Sequence, residues 1–87
     1  MTTKFRIEIT EAFTLIGTAA NGGGYIVTGT VHLNAPVTVT RDDQQHTGTV
    51  ISLRRYGVPR DSINAGHYCG IGVSGWKFAP GDVVTEA

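Results

Sequence analysis

The strongest local concentration of positive charge in this 87-residue chain lies between residues 54 and 60. The residues that could do chemistry there are Arg54, Arg55, Tyr56 and Arg60. Guanidinium groups pair with phosphates and an aromatic ring stacks on a base, so the cluster fits single-stranded nucleic acid. Neighbouring residues of a strand point to opposite faces, and on that interpretation the cluster is only a solvated loop. Both interpretations stay open.

A second chemically distinctive group is aromatic. Trp76 and Phe78 flank Lys77, and Tyr68 lies nearby in the sequence. An exposed pair of Trp76 and Phe78 would mark a protein-contact surface, because tryptophan anchors interfaces out of proportion to its frequency. A buried Trp76 would instead fill one end of the fold. We favour burial, because the chain has few large core residues.

The residue types that most enzymes use occur here without the spacing that their chemistry needs. The candidate metal ligands are His32, His46, His67 and Cys69. They share no metal-ligand spacing with one another. Cys69 has no assignable basic partner to activate its thiol, and no Gly-x-Ser-x-Gly motif is present. We therefore predict a non-catalytic protein with no metal and no cofactor.

A glycine run follows Asn21 and could present backbone amides to an anion, as glycine nests do. It lacks the lysine and the following helix of a nucleotide-binding loop, and the chain contains no Gly-x-x-x-x-Gly-Lys-Ser/Thr motif. We interpret residues 17–24 as a connecting loop. The chain is therefore not expected to bind a nucleotide.

Composition predicts one small soluble domain over residues 1–87. The chain is 40% hydrophobic and 16% charged, which suits a modest core and argues against a disordered tail. Seven basic residues balance seven acidic ones, so no overall field attracts nucleic acid or membrane. One cysteine, no long apolar run and no signal-like opening segment indicate a cytoplasmic protein without membrane contact.

Short alternating segments separated by turn signals predict an all-β fold with almost no helix. Strands are predicted over residues 4–10, 25–33, 37–40, 47–54, 67–73 and 83–84, with a polar loop tip over 41–46, a basic loop over 55–62 and a turn over 79–82. Closure removes unpaired edges, so this spacing favours a small closed barrel of six or seven antiparallel strands.

The alternation also predicts which side chains share a face. One face of the second strand is expected to carry Tyr25, Val27, Val31 and Leu33. In the fourth strand, Thr49, Ile51 and Leu53 are expected on one side. In the fifth, Cys69, Ile71 and Val73 are expected to face one way. Gly29 lies amid β-branched residues and predicts a bend or a close backbone approach.

Several motifs follow in a fixed order along residues 5–84. They are Phe5, Ile9 and Phe13, then Val-Thr-Gly-Thr-Val at 27–31, Thr47-Gly48, Arg54-Arg55, Ala65-Gly66 and Gly81-Asp82. In this order and spacing the chain resembles the second domain of elongation factor Tu and related translational GTPases, which is a β-barrel. The GTPase motif itself is absent.

The resemblance implies a binding module of translation that contacts RNA or a neighbouring protein. In elongation factor Tu, part of this barrel holds the aminoacylated end of tRNA with the help of a Glu, an Arg and an Asn. The Arg falls at Arg54, but the Glu falls at Ile51 and the Asn at Tyr68. The expected RNA or partner site comprises Arg54, Arg55, Tyr56, Arg60 and Tyr68. The alternative is a protein-contact or oligomerisation module that uses Trp76 and Phe78 and has no nucleic-acid role.

Overall fold

The computed structural model describes residues 5–13 and 21–87, and every regular element among them is a strand. In chain order these are β1 (Arg6–Ala12), β2 (Gly22–Thr28), β3 (Thr30–His32), β4 (Pro36–Arg41), β5 (Gln44–Arg55), β6 (Val58–Pro59), β7 (Ser62–Asn64), β8 (Tyr68–Val73) and β9 (Val83–Glu86). Nothing in this described part is a helix long and apolar enough to cross a membrane.

Six strands form a closed antiparallel ring in the order β4, β9, β1, β2, β8 and β5, because β5 also pairs with β4. Strand β6 extends the sheet from β5, and β3 pairs separately with β7. The predicted all-β fold and its small closed barrel are therefore confirmed.

The barrel is filled by apolar side chains that point inward at every second position. In β1, Ile7 and Ile9 are buried whereas Arg6 and Glu8 are exposed. The core consists of Phe5, Ile7, Ile9, Ile26, Val31, Val37, Val39, Val50, Leu53, Ile63, Cys69, Ile71, Val73, Phe78 and Val84. The inward set predicted for β8 is among them and is confirmed. Burying a large apolar side chain completely stabilises a fold by about 1.5–3 kcal/mol.

The glycine run 22–24 was predicted as a loop, and that prediction is wrong. These glycines are buried, begin β2 and pair with β1 on one side and β8 on the other. A Cβ atom on Gly22 would lie 2.6 Å from the ring of Phe78. The close approach of neighbouring groups therefore explains the glycines better than a need for flexibility. Residues 17–20 of the predicted loop lie outside the described residues.

The strand predicted over residues 25–33 is divided at Gly29. Its φ is +72°, a left-handed conformation that favours glycine, so the predicted bend is confirmed. The shared face predicted for this strand is wrong: Tyr25 and Val27 are 56% and 49% exposed, whereas Ile26 is buried. The alternation restarts beyond the bend, where β3 pairs with β7.

A bulge in β5 overturns a second predicted face. The pairing of β5 with β8 shifts register between Val50 and Ser52. As a result Val50 and Leu53 both point into the core, and Ile51 is 48% exposed. An extra residue in one strand exchanges the two faces beyond it, and strict alternation cannot anticipate that exchange.

The polar segment 41–46 was predicted as a loop tip but is mostly strand. β4 continues to Arg41 and β5 begins at Gln44, so only Asp42 and Asp43 form the turn. This extended hairpin carries Arg41 to the end of the barrel, where it meets the segment that precedes β9.

Asp82 is a buried carboxylate, 1% exposed, that ties the segment before β9 to the end of β4. Its oxygens accept two hydrogen bonds from the Arg41 guanidinium, at 2.7 and 2.8 Å. The Oδ2 atom also accepts from the Trp76 indole at 3.1 Å and from the Ala79 amide at 2.9 Å. The Arg41 guanidinium lies 4.5 Å from the centre of the Trp76 ring.

Burial alone would raise the pKa of Asp82, but these hydrogen bonds outweigh it and hold the pKa below its ordinary value. The predicted turn over residues 79–82 is confirmed, with Gly81 at a φ of +96°. It delivers the chain into β9, which is slightly longer than predicted and lies between β4 and β1.

Replacing Asp82 with Asn is expected to lower the free energy of unfolding by about 3 kcal/mol, because the Arg41 charge loses its buried partner. The native pKa of Asp82 lies below its unfolded value. The carboxylate therefore stabilises the fold above about pH 4, and this contribution is lost as the pH falls through the native pKa. Urea unfolding at neutral and at acidic pH measures both effects.

Asp43→Asn is the matched control, because it removes a carboxylate from an exposed turn. It should leave the acid dependence of unfolding close to that of the parent protein. Equal flattening of that dependence by both variants would contradict the role assigned to Asp82.

Candidate nucleic-acid interface

The basic residues singled out by the sequence lie on and beside the hairpin formed by β5 and β6. Arg55 pairs with Val58, which leaves Tyr56 and Gly57 as a two-residue turn. The φ angles of these turn residues are +52° and +76°. Positive φ at both positions is the signature of a type I′ turn, whose twist matches that of the flanking strands. The predicted basic loop is therefore a tight hairpin followed by β7.

Tyr56 occupies a backbone conformation that its residue type disfavours. The other non-glycine residues with positive φ in the described part are Asn34 and Asp42, whose short polar side chains tolerate it. The Tyr56 side chain is 88% exposed, so packing does not offset a strain of about 1–3 kcal/mol. Residues held in such conformations cluster at functional sites.

Two arginines act differently on this turn. The Arg55 guanidinium lies 5.3 Å from the centre of the Tyr56 ring, within the range of a cation–π contact. One face of the ring is thus occupied, and the high exposure leaves the other available for stacking. The Arg54 guanidinium donates to the Gly57 carbonyl at 3.0 Å, and this hydrogen bond stabilises the turn.

Arg54 and Tyr68 belong to the outer wall of the barrel. Arg54 pairs with Gly70 of β8, and Tyr68 lies two residues earlier on the same face of that strand. The Tyr68 ring meets Tyr25 of β2 edge to face, with ring centres 5.2 Å apart.

The Tyr68 hydroxyl is already engaged. It donates to the Glu11 carboxylate at 2.8 Å. Burial and this hydrogen bond to an acceptor raise the pKa of Tyr68 to about 12, so the phenol stays protonated at neutral pH. Tyr68 can offer its ring to a ligand, but its hydroxyl is committed to β1.

Arg55 and Arg60 share a separate small pocket of about 100 Å³ with residues of β7 and with His67. The structure therefore divides the predicted cluster into three parts. Arg54 and Tyr68 lie on the wall, Tyr56 lies at the hairpin tip, and Arg55 and Arg60 flank the pocket. Arg60 also lines a shallow depression next to Arg54, which connects the parts.

The aromatic pair proposed as an alternative contact surface lies wholly or partly in the core. Phe78 is 3% exposed and lies in the core. Trp76 is partly buried against that core, and its indole N–H is bound to Asp82. His46 stacks on Trp76 with ring centres 5.1 Å apart. These aromatic residues hold the barrel end together in the folded chain.

Within residues 5–13 and 21–87, no three His, Cys, Asp or Glu side chains are arranged to hold a metal ion. Cys69 is fully buried, and burial raises the pKa of its thiol to about 12. A thiol in that state is a poor nucleophile.

Sequence reasoning did not assign Ser62, Asn64 or His67 to the basic cluster. They reach the basic cluster because β3 turns away at Gly29 to pair with β7. Gly29 was the local sequence signal that the chain bends away between β2 and β3.

Comparison with known proteins gives one consistent similarity. The chain is 35% identical over 78 residues to translation initiation factor IF-2 of Psychrobacter cryohalolentis, which covers 88% of the chain and 9% of that factor. The factor of Alkaliphilus oremlandii is 30% identical over 81 residues, covering 91% and 11%. That of Acinetobacter baylyi is 37% identical over 71 residues, covering 80% and 8%. The chain thus spans only about a tenth of the length of the curated relatives it matches.

A scan against known protein families finds no match for the chain. What the comparisons show is similarity to one short segment of a translation factor, over most of the chain.

Replacing Tyr56 with Asn is expected to raise the free energy of unfolding by about 1 kcal/mol, because Asn-Gly is the favoured type I′ pair and tolerates positive φ. Urea denaturation measures the change. Tyr56→Phe keeps the same backbone demand and should leave stability unaltered. An Asn variant no more stable than the parent would show that Tyr56 is not strained.

Proposed function

We propose that this chain is a non-catalytic RNA-binding barrel of the translation-factor type, related to the second domain of elongation factor Tu, and that it contacts RNA through the β5–β6 hairpin. The observation that carries the proposal is Tyr56: an exposed aromatic ring in a disfavoured backbone conformation, with the Arg55 guanidinium over one face. The similarity of the chain to segments of translation initiation factors supports RNA as the class of partner.

The chemistry of the hairpin fits a short single-stranded segment. An unpaired base stacks on the open face of the Tyr56 ring, and the guanidinium groups of Arg55 and Arg60 neutralise the phosphate backbone beside it. Stacking is tolerant of sequence, so no base preference is expected. The net charge is zero, so no long-range field concentrates RNA at the hairpin.

Few charges imply a shallow salt dependence. Arg55 and Arg60 can form at most two phosphate contacts on a single strand, so the logarithm of the association constant should fall with the logarithm of salt concentration with a slope no steeper than about −1.4. A protein partner recognised by apolar contacts would give a slope near zero. The salt dependence therefore separates the two classes of partner.

Contact with a protein is the second candidate function. It is supported by exposed apolar residues that the sequence analysis did not assign to such a contact. Tyr25, Val27, Ile51 and Val58 are each about half exposed, although each is large and apolar. Exposed apolar residues of this size support a contact with another polypeptide or a neighbouring domain. Of the two positions assigned to this role from the sequence, Phe78 is buried and Trp76 is partly buried, so the proposed contact rests on the exposed residues instead.

Fluorescence anisotropy with a short labelled RNA ending in CCA tests the RNA proposal. Tyr56→Asn preserves the turn and removes the ring, so it should weaken binding by about 1–3 kcal/mol without changing the salt slope. Arg60→Gln should weaken binding and reduce the slope by about 0.7.

Lys77→Gln is the charge-matched control, because Lys77 is exposed and lies away from the hairpin. It should leave both affinity and slope unchanged. The proposal fails if no binding is detected, or if Lys77→Gln and Arg60→Gln have equal effects.

A further inference from the structure

The pocket beside the hairpin has the size of a small ion. Its lining residues are Arg55, Arg60, Ser62, Ile63, Asn64 and His67. Its volume is about 100 Å³. Pockets that enclose whole small molecules measure about 300–1,000 Å³. A single compact group therefore fits, and a nucleobase with its sugar does not.

The charges that face this pocket are positive and unneutralised. None of its six lining residues is acidic. The ion pairs formed among the described residues use other arginines, Arg6 and Arg41. Arg55 lies over the face of Tyr56, and Arg60 is exposed. Both guanidinium groups thus retain donors for an anion.

The pairing of β3 with β7 orients a further hydrogen-bond donor of the pocket, the Asn64 side-chain amide. Thr30 pairs with Asn64 across β3 and β7, and its hydroxyl donates to the Asn64 Oδ1 atom at 2.9 Å. This bond occupies the carbonyl end of the amide and leaves the NH₂ end to donate. The Ser62 hydroxyl and the His67 ring add further hydrogen-bonding groups. Ile63, 4% exposed, anchors this strand in the core.

We propose that this pocket binds a phosphate group. Paired guanidiniums with hydroxyl and amide donors match the several acceptor oxygens and the negative charge of a phosphate. The inference rests on the proposed function for its natural source, an RNA backbone, but the same chemistry would hold the phosphate of a small phosphorylated molecule. With RNA, Tyr56 stacks one base while the pocket holds a neighbouring phosphate.

The test is a titration of the isotope-labelled chain followed by ¹H–¹⁵N NMR, first with inorganic phosphate and then with sodium chloride at matched ionic strength. Phosphate should cause saturable shifts at the amides of Ser62, Asn64 and His67, which chloride does not reproduce. Arg55→Gln or Arg60→Gln should weaken phosphate binding about tenfold each, and Lys77→Gln should not. The dispersion of each spectrum confirms that the variant is folded.

Shifts that do not saturate, or that chloride reproduces, overturn the pocket. So does an Arg60→Gln variant with unchanged phosphate affinity.

A second arm uses a CCA trinucleotide and separates the sources. Displacement of inorganic phosphate by the RNA at the same amides supports the pocket with an RNA backbone as its source. Saturable phosphate binding without RNA binding supports the pocket with a small phosphorylated ligand, and contradicts the proposed function. RNA binding at the hairpin with no response of the pocket amides to phosphate overturns the pocket and leaves the proposed function standing.

Discussion

The buried carboxylate of Asp82 joins parts of the chain that lie far apart in sequence. Arg41 ends β4, Asp82 precedes β9, and Trp76 lies between them, so their hydrogen bonds bring β9 to its place between β4 and β1. Without β9 the sheet would present two open edges. The ion pair thus supports the closure of a ring that also contains β5 and β8, the strands that carry Arg54 and Tyr68.

The hairpin can carry strain because it lies outside this closed ring. Strand β6 pairs with β5 alone among the described strands, so the Tyr56 turn is not part of the barrel wall. A favourable turn residue at this position would stabilise the fold and remove the ring. A tyrosine at a turn position that favours Asn is a local inconsistency of the kind expected at functional positions, and the proposed function therefore centres on it. The Arg55 guanidinium over the ring and the neighbouring basic pocket supply positive charge beside this exposed aromatic surface.

Local pattern was enough to predict the closed barrel, the bend at Gly29 and the inward face of β8. It failed where a distant part of the chain decides the local structure. The run 22–24 is a strand because it pairs with β1 and β8. Its residues are glycines because neighbouring groups leave too little space for side chains. The exposure of Ile51 follows from a bulge that only the pairing with β8 reveals. The basic cluster could be found from the charges in the sequence. The position of Asn64 beside it could not, because it follows from the pairing of β3 with β7.

The most direct measurement of the central claim is chemical-shift mapping of the labelled chain with a short CCA-ended RNA, at low and at moderate salt. Binding through the hairpin requires shifts concentrated at Tyr56, Gly57 and Arg60 that weaken as salt rises. Silence at both salts would contradict it. So would shifts centred away from the hairpin, on Tyr25 and Ile51, that salt leaves unchanged.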